Sequence, residues 1–180
     1  MTIFNEIEIL NRAKETKSLN EYVDVQTKKY KKDISFAGLY IFWFDNSDKI
    51  IRTLKRNLQI KGPNRKTQSL SWDWNLDNEK ICLYVGKSTD IKKRLGQHLL
   101  LKTNNLYPNT TSELYKKTTS CQFRSGFDYL YQKKNINIFS KINKRVHLSI
   151  IRENNFIRRF YMEDFLIGKL LPWFNIDSER

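Results

Sequence analysis

Apolar residues are grouped along this chain in blocks with different spacings, and the spacing assigns each block an element. Ile3, Phe4, Ile7, Ile9, Leu10 and Ala13 recur at near-helical intervals and predict a first helix over 3–14. Residues 15–34 are polar and basic (Lys28-Lys29-Tyr30-Lys31-Lys32) and are expected to lead in without adding to the core. Gly38-Leu39-Tyr40-Ile41-Phe42-Trp43-Phe44 is apolar on both faces, the pattern of a central, covered strand. A second strand is expected over 80–86, ending at Gly86. Asp90 then suits a helix N-cap, and Ile91, Leu95 and Leu99 form one stripe of a helix over 90–101. Arg94 and His98, also four apart, project together from a neighbouring face.

Val146-His147-Leu148-Ser149-Ile150-Ile151 alternates as a third strand, and Asn154-Asn155 reads as a turn. Residues 159–171 read as a helix stopped by Pro172, apolar nearly all round and therefore expected to be buried. Glu163 is expected on the face of Ile167 and Leu170, where a carboxylate needs a partner or a metal. Asp164 is one step round the helix, and periodicity does not separate the two.

Two connections are long and basic. Residues 45–79 carry Lys49, Arg52, Lys55, Arg56, Lys61, Arg65 and Lys66, a Gly62-Pro63 turn, and Trp72 and Trp74. Such a segment is either a solvated excursion or an inserted DNA-contacting element, with its cations on phosphates and its aromatics free to stack. Residues 102–144 form the second insertion; Phe123, Phe127, Leu130 and Tyr131 fall at helical spacing among Arg124, Lys133, Lys134, Lys141 and Lys144. The expected fold is α+β: one domain over 1–180 with a small, three-stranded, mainly antiparallel sheet flanked by helices. Its core lies at about 36–44, 80–101 and 145–176, behind a helical extension over 1–35.

Charge narrows the partner. Lys and Arg total 33 against 19 acidic residues, a formal net charge of +14. That excess points to a polyanion, with nucleic acid ahead of an anionic membrane surface. A 39% hydrophobic share with 13% aromatics supports a real core. No apolar stretch approaches the ~20 residues that span a bilayer. The mixed-charge N-terminus is unlike a signal peptide. Cys82 and Cys121 make neither a disulfide framework nor a metal-binding pair, so a cytoplasmic protein is expected.

Gly38-Leu39-Tyr40, Tyr84-Val85-Gly86, Arg94, His98, Glu163 and Asn175 occur in this order on the expected elements. Arg94 follows Tyr84 by ten residues, His98 follows it by fourteen, and Asn175 follows Glu163 by twelve. The set resembles the GIY-YIG nuclease family, over roughly 36–44, 80–101 and 145–176. Lys87, directly after the second signature, matches a lysine common in its repair-type members. Tyr84 follows Tyr40 by 44 residues, whereas the family's two signatures usually lie on a tight hairpin. A similar enlargement in some type II restriction endonucleases of the family directs the resemblance to that subclass.

The resemblance implies a GIY-YIG-type sandwich and phosphodiester hydrolysis, with Tyr40, Tyr84, Arg94, His98, Glu163 and Asn175 as the catalytic set. Glu163 is expected to hold one Mg2+ (or Mn2+), with waters and a phosphate oxygen completing the shell. Arg94 would hold a nonbridging oxygen. Tyr84, or a network of Tyr84 with Tyr40 and His98, would orient or deprotonate the attacking water. The general-base role of Tyr84 is implied by the resemblance alone. Asn175 would anchor the final helix or position Tyr40 and the phosphate. Lys87, Lys55, Arg56, Arg65 and Lys66 are the expected phosphate and DNA contacts. The function expected is a sequence-specific endonuclease on double-stranded DNA, of restriction or other defence type, with a homodimer suited to double-strand cutting. The alternatives are a non-catalytic nucleic-acid-binding module on the same fold, or a homing or repair-type nuclease.

Overall fold

In a computed structural model the described residues are 5–45, 57–61, 67–71, 80–99, 123 and 143–175. The chain opens with α1 (Glu6–Lys14), capped by the Asn5 side chain, which accepts from the Glu8 amide at 3.1 Å. It continues through β1 (Lys17–Ser18), a 3-10 turn (Leu19–Glu21), β2 (Val23–Asp24) and β3 (Lys29–Tyr30) into β4 (Gly38–Asp45). Then come β5 (Asn57–Lys61), β6 (Thr67–Ser71), β7 (Lys80–Ser88), α2 (Ile91–His98), β8 (Val146–Arg152) and α3 (Phe156–Leu170). The fold is α+β. Among the described residues, no helix is long and apolar enough to cross a membrane.

The main sheet is antiparallel in the order β1-β8-β4-β7. β4 and β7 are therefore neighbours despite the long connection between them, with Tyr40 opposite Gly86 and Phe42 opposite Tyr84. Strand alternation gives β4 two buried faces. Tyr40, Phe42 and Phe44 pack with Leu19, Val23, Ile34, Ile91 and Leu95. Leu39, Ile41 and Trp43 pack with Ile9 and Ala13 of α1 and Met162 and Leu166 of α3. The sheet is the middle of three layers.

Four features differ from the sequence-based expectation. The main sheet has a fourth strand, β1, whose two residues pair through backbone alone (Lys17 opposite Leu148, Ser18 opposite His147) and leave no hydrophobic signature. Residues 15–34 do supply core, because Leu19, Val23, Val25 and Ile34 are buried one at a time between polar turns. Part of the first insertion is a hairpin, with β5 and β6 pairing as a separate two-stranded sheet. Finally, the helix expected over 159–171 is not buried all round: Asp164, Gly168 and Lys169 are exposed, as are Phe156 and Ile157 in its earlier first turn, while the inward stripe is Arg159, Met162, Glu163 and Leu166. A helix lying on one face of a sheet has only one side to bury, and Glu163 is on that side while Asp164 is exposed.

Cys82 lies inside β7, and burial pushes its thiol well above the ordinary range. Native protein treated with iodoacetamide is expected to leave Cys82 unmodified, with full labelling after unfolding, read by peptide mass mapping. Labelling of Cys82 in the native state would contradict this packing.

Candidate active site

The placement of α2 starts with its N-terminus. The Asp90 side chain accepts from the Lys93 amide at 3.0 Å, while the Ile91 and Lys92 amides donate to the carbonyls of Phe36 and Ile34 at 3.0 and 3.1 Å. The Tyr30 hydroxyl donates to the Lys92 carbonyl at 2.6 Å. With Ile91 and Leu95 buried, these contacts fix the helix rotation and bring Arg94 and His98 onto Tyr40.

Tyr40 is the centre of the arrangement and is fully buried. Its phenol oxygen lies 2.7 Å from His98 Nε2, and Arg94 Nε donates to it at 3.4 Å. The direction of the Tyr40–His98 hydrogen bond follows the imidazole tautomer, since a phenol can donate its proton and also accept. Tyr84 stacks beside Tyr40 (centroids 6.2 Å, 24° between planes) and meets the His98 ring edge-on at 5.0 Å. Burial, with a contribution from Tyr84, holds the Tyr40 phenol well above its ordinary range, against the opposing pull of Arg94. Tyr40 is therefore protonated at neutral pH and serves as a hydrogen-bonding link. Arg94 is half-buried; desolvation disfavours its charge, but the two phenols, each hydrogen-bonding the guanidinium, outweigh that and raise its pKa.

Tyr40→Phe keeps the ring and removes the oxygen shared by Arg94 and His98. Leaving buried polar partners short of a hydrogen bond costs about 1–3 kcal/mol. Urea denaturation is expected to show a loss of that size; an unchanged midpoint would contradict the bonding described here.

The carboxylate lies on the other side of the sheet. Lys87, opposite Leu39 in the register, carries β7 to the α3 face. There the Lys87 amide donates to Glu163 Oε1 at 3.2 Å, and its ammonium pairs with Oε2. The same ammonium lies 3.8 Å from the centroid of the Phe160 ring. One feature joins the halves: residues Tyr84 to Lys87 are consecutive on β7, so a single strand presents Tyr84 to one face of the sheet and Lys87 to the other. Asn175 fixes that strand from outside: its Oδ1 accepts from the Val85 amide and its Nδ2 donates to the Val85 carbonyl, both at 2.8 Å. The amides of Trp173 and Phe174 donate to the carbonyls of Cys82 and Leu83. This segment therefore covers the β7 edge, and Asn175 is a positioning residue.

Tyr40, Tyr84, Arg94 and His98 thus form one network, and Lys87 with Glu163 a second on the opposite face of the sheet. Lys55, Arg56, Arg65 and Lys66 lie outside the described residues. Phe123 and Phe160 were not anticipated. Phe123 stacks on Phe42 (4.1 Å, 21°) and meets the His98 ring at 5.8 Å, so one residue of the second insertion lines the buried side of the site. Its place in an apolar periodicity was the available signal. Nothing in the spacing tied Phe160 to Lys87.

Among the described residues, no three His, Cys, Asp or Glu side chains gather as a metal-binding group. Glu163, the buried carboxylate among the described residues, is the one that would hold a magnesium-like ion, which keeps most of its waters and takes few protein ligands, and the Lys87 ammonium now occupies one of its oxygens. No protein-family model, no curated protein and no solved structure matches this chain.

Proposed function

We propose that this protein is a metal-dependent endonuclease that hydrolyses phosphodiester bonds in double-stranded DNA on a GIY-YIG-type scaffold. One observation carries the reading: the Tyr40 phenol sits between Arg94 and His98, on a strand paired with the one that presents Lys87 to the buried Glu163. Arg94 holds a nonbridging phosphate oxygen, with its charge secured by two phenols. Tyr40 keeps its proton and orders Arg94 against His98. Tyr84, beside both, orients the attacking water as the phenol of this set that the family resemblance assigns to proton transfer. Asn175 holds Val85, and so Tyr84, in register. Mg2+ or Mn2+ on Glu163 would supply charge stabilisation at the phosphate and the leaving oxygen.

The net charge of +14 suits a DNA backbone, and Lys55, Arg56, Arg65 and Lys66 in the first insertion are the further phosphate contacts we assign. Sequence-specific cutting of restriction or other defence type, by a homodimer, is the form we favour. The test is incubation of the protein with long duplex DNA and Mg2+, followed by end mapping. Discrete breaks support the proposal; intact DNA across metals, salts and substrates contradicts it.

The Lys87 ammonium on Glu163 favours one second reading, a nucleic-acid-binding module whose carboxylate is structural. That reading predicts salt-sensitive DNA binding that responds to neither Mg2+ nor Glu163→Ala.

A further inference from the structure

We infer that Lys87 is an exchangeable counter-ion: its ammonium occupies the Glu163 carboxylate until a divalent cation displaces it and frees it for the substrate phosphate. The inference rests on the metal-dependent reading above. Glu163 is held by Lys87 in two separable ways. The backbone amide donates to Oε1 at 3.2 Å, and the side-chain ammonium pairs with Oε2. The first contact belongs to the β7 backbone and does not depend on the ammonium. Glu163 lies within α3, so its carboxylate remains placed when the ammonium leaves.

The ammonium itself is suited to leaving. It is a point charge on a flexible four-carbon stem, held by Glu163 and the face of the Phe160 ring without the paired geometry that fixes an arginine to a carboxylate. The Lys87 side chain is 16% exposed against 7% for Glu163, so the route outward belongs to the lysine. A divalent ion and an ammonium cannot share Oε2, because two cations within ~4 Å in a partly buried site repel strongly. Metal entry therefore expels the ammonium, and the substrate phosphate of the proposed reaction is the anion that receives it. Metal and DNA are consequently coupled: each binds more tightly with the other present, because DNA accepts the charge that the metal displaces.

The test measures Mn2+ binding to the full chain, without DNA, by the electron paramagnetic resonance signal of free Mn2+ at fixed pH and ionic strength. Lys87→Met is expected to bind Mn2+ at least about tenfold more tightly than wild type, since a close charge pair of this kind carries that much free energy. Lys87→Gln, still able to donate to Oε2 without a charge, gives a smaller gain and guards against misfolding of the Met variant; circular dichroism checks both folds. Glu163→Gln loses the site. Equal or weaker Mn2+ binding by both folded Lys87 variants, with the site lost in Glu163→Gln, overturns the exchange and leaves the metal assignment standing. Undiminished binding in Glu163→Gln overturns the metal assignment and the exchange together. Absence of Mn2+ binding in wild type and in both Lys87 variants overturns the exchange as well.

Discussion

Gly86→Ala is expected to lower both the melting temperature and the cleavage rate, although it adds a single methyl group. An alanine Cβ at this position would lie 2.4 Å from the Tyr40 phenol oxygen, 2.5 Å from Tyr40 Cζ and 2.8 Å from Tyr84 Cε1. No described glycine has a positive φ, so position 86 is glycine for space and not for backbone freedom. The Tyr40 ring has nowhere to retreat, being packed by Phe42, Tyr84 and His98 at 5.9, 6.2 and 5.4 Å between centroids. The strand cannot easily lift either, because β7 pairs with β4 on one side and is fastened by Asn175 on the other. Overpacking of this kind costs about 1–3 kcal/mol, or roughly 2–12 °C in a domain of this size. Displacing the phenol also moves Arg94 and His98, and a misplacement of ~1 Å reduces an enzyme's rate by about a hundredfold. Thermal melting and cleavage assays of the variant check both effects; wild-type values for both would contradict the close approach at Gly86.

Glu163→Gln is expected to have the largest effect on activity and a smaller one on the fold. The amide keeps an acceptor for the Lys87 backbone N–H and nearly the same volume, so β7 and α3 remain docked. What is lost is the charge. Without it the Lys87 ammonium loses its partner, and in the proposed nuclease a divalent cation would lose its anchor and with it several kcal/mol of charge stabilisation in the transition state. A loss of about 4 kcal/mol corresponds to roughly 10³-fold in rate. The stability change is held down because the Lys87 side chain is near the surface and its ammonium can turn to water. A binding module would respond differently, with Glu163→Gln leaving DNA affinity as it was.

Much of the core was readable in the chain, and for definite reasons. The run from Gly38 to Phe44, apolar on both faces, and the alternation from Val146 to Ile151 are both strong strand patterns, and both are strands. Asp90 followed by Ile91 and Leu95 gives a cap and a stripe, and α2 forms there. The four-residue interval between Arg94 and His98 does bring both side chains to Tyr40, through a contact 58 residues apart in sequence between Tyr40 and His98. What the pattern hid were contacts made without periodicity. β1 joins the sheet by backbone alone, and Val23 and Val25 reach the core singly from a polar stretch. The rotation of α3 was also hidden, because a helix rich in apolar residues on several sides does not reveal which side meets the sheet. Packing decides that Met162, Glu163 and Leu166 turn inward and that Phe156 and Ile157 stay out. Asn175 was legible as a position but not as a task; its two hydrogen bonds to Val85 make it a clamp on the strand that carries Tyr84 and Lys87.

The same strand carries Tyr84 of the phenol network and Lys87 of the carboxylate pair, and the proposed function requires the two to act as one phosphodiester-cleaving site. The most direct measurement is a side-by-side time course of duplex DNA cleavage by wild type and Glu163→Gln in Mg2+, with and without a chelator, on matched and verified folds. Discrete fragments are expected from wild type, none once the metal is removed, and cleavage by Glu163→Gln slowed by about a thousandfold. Equal cleavage by the two proteins, or none by wild type on any duplex, would contradict it.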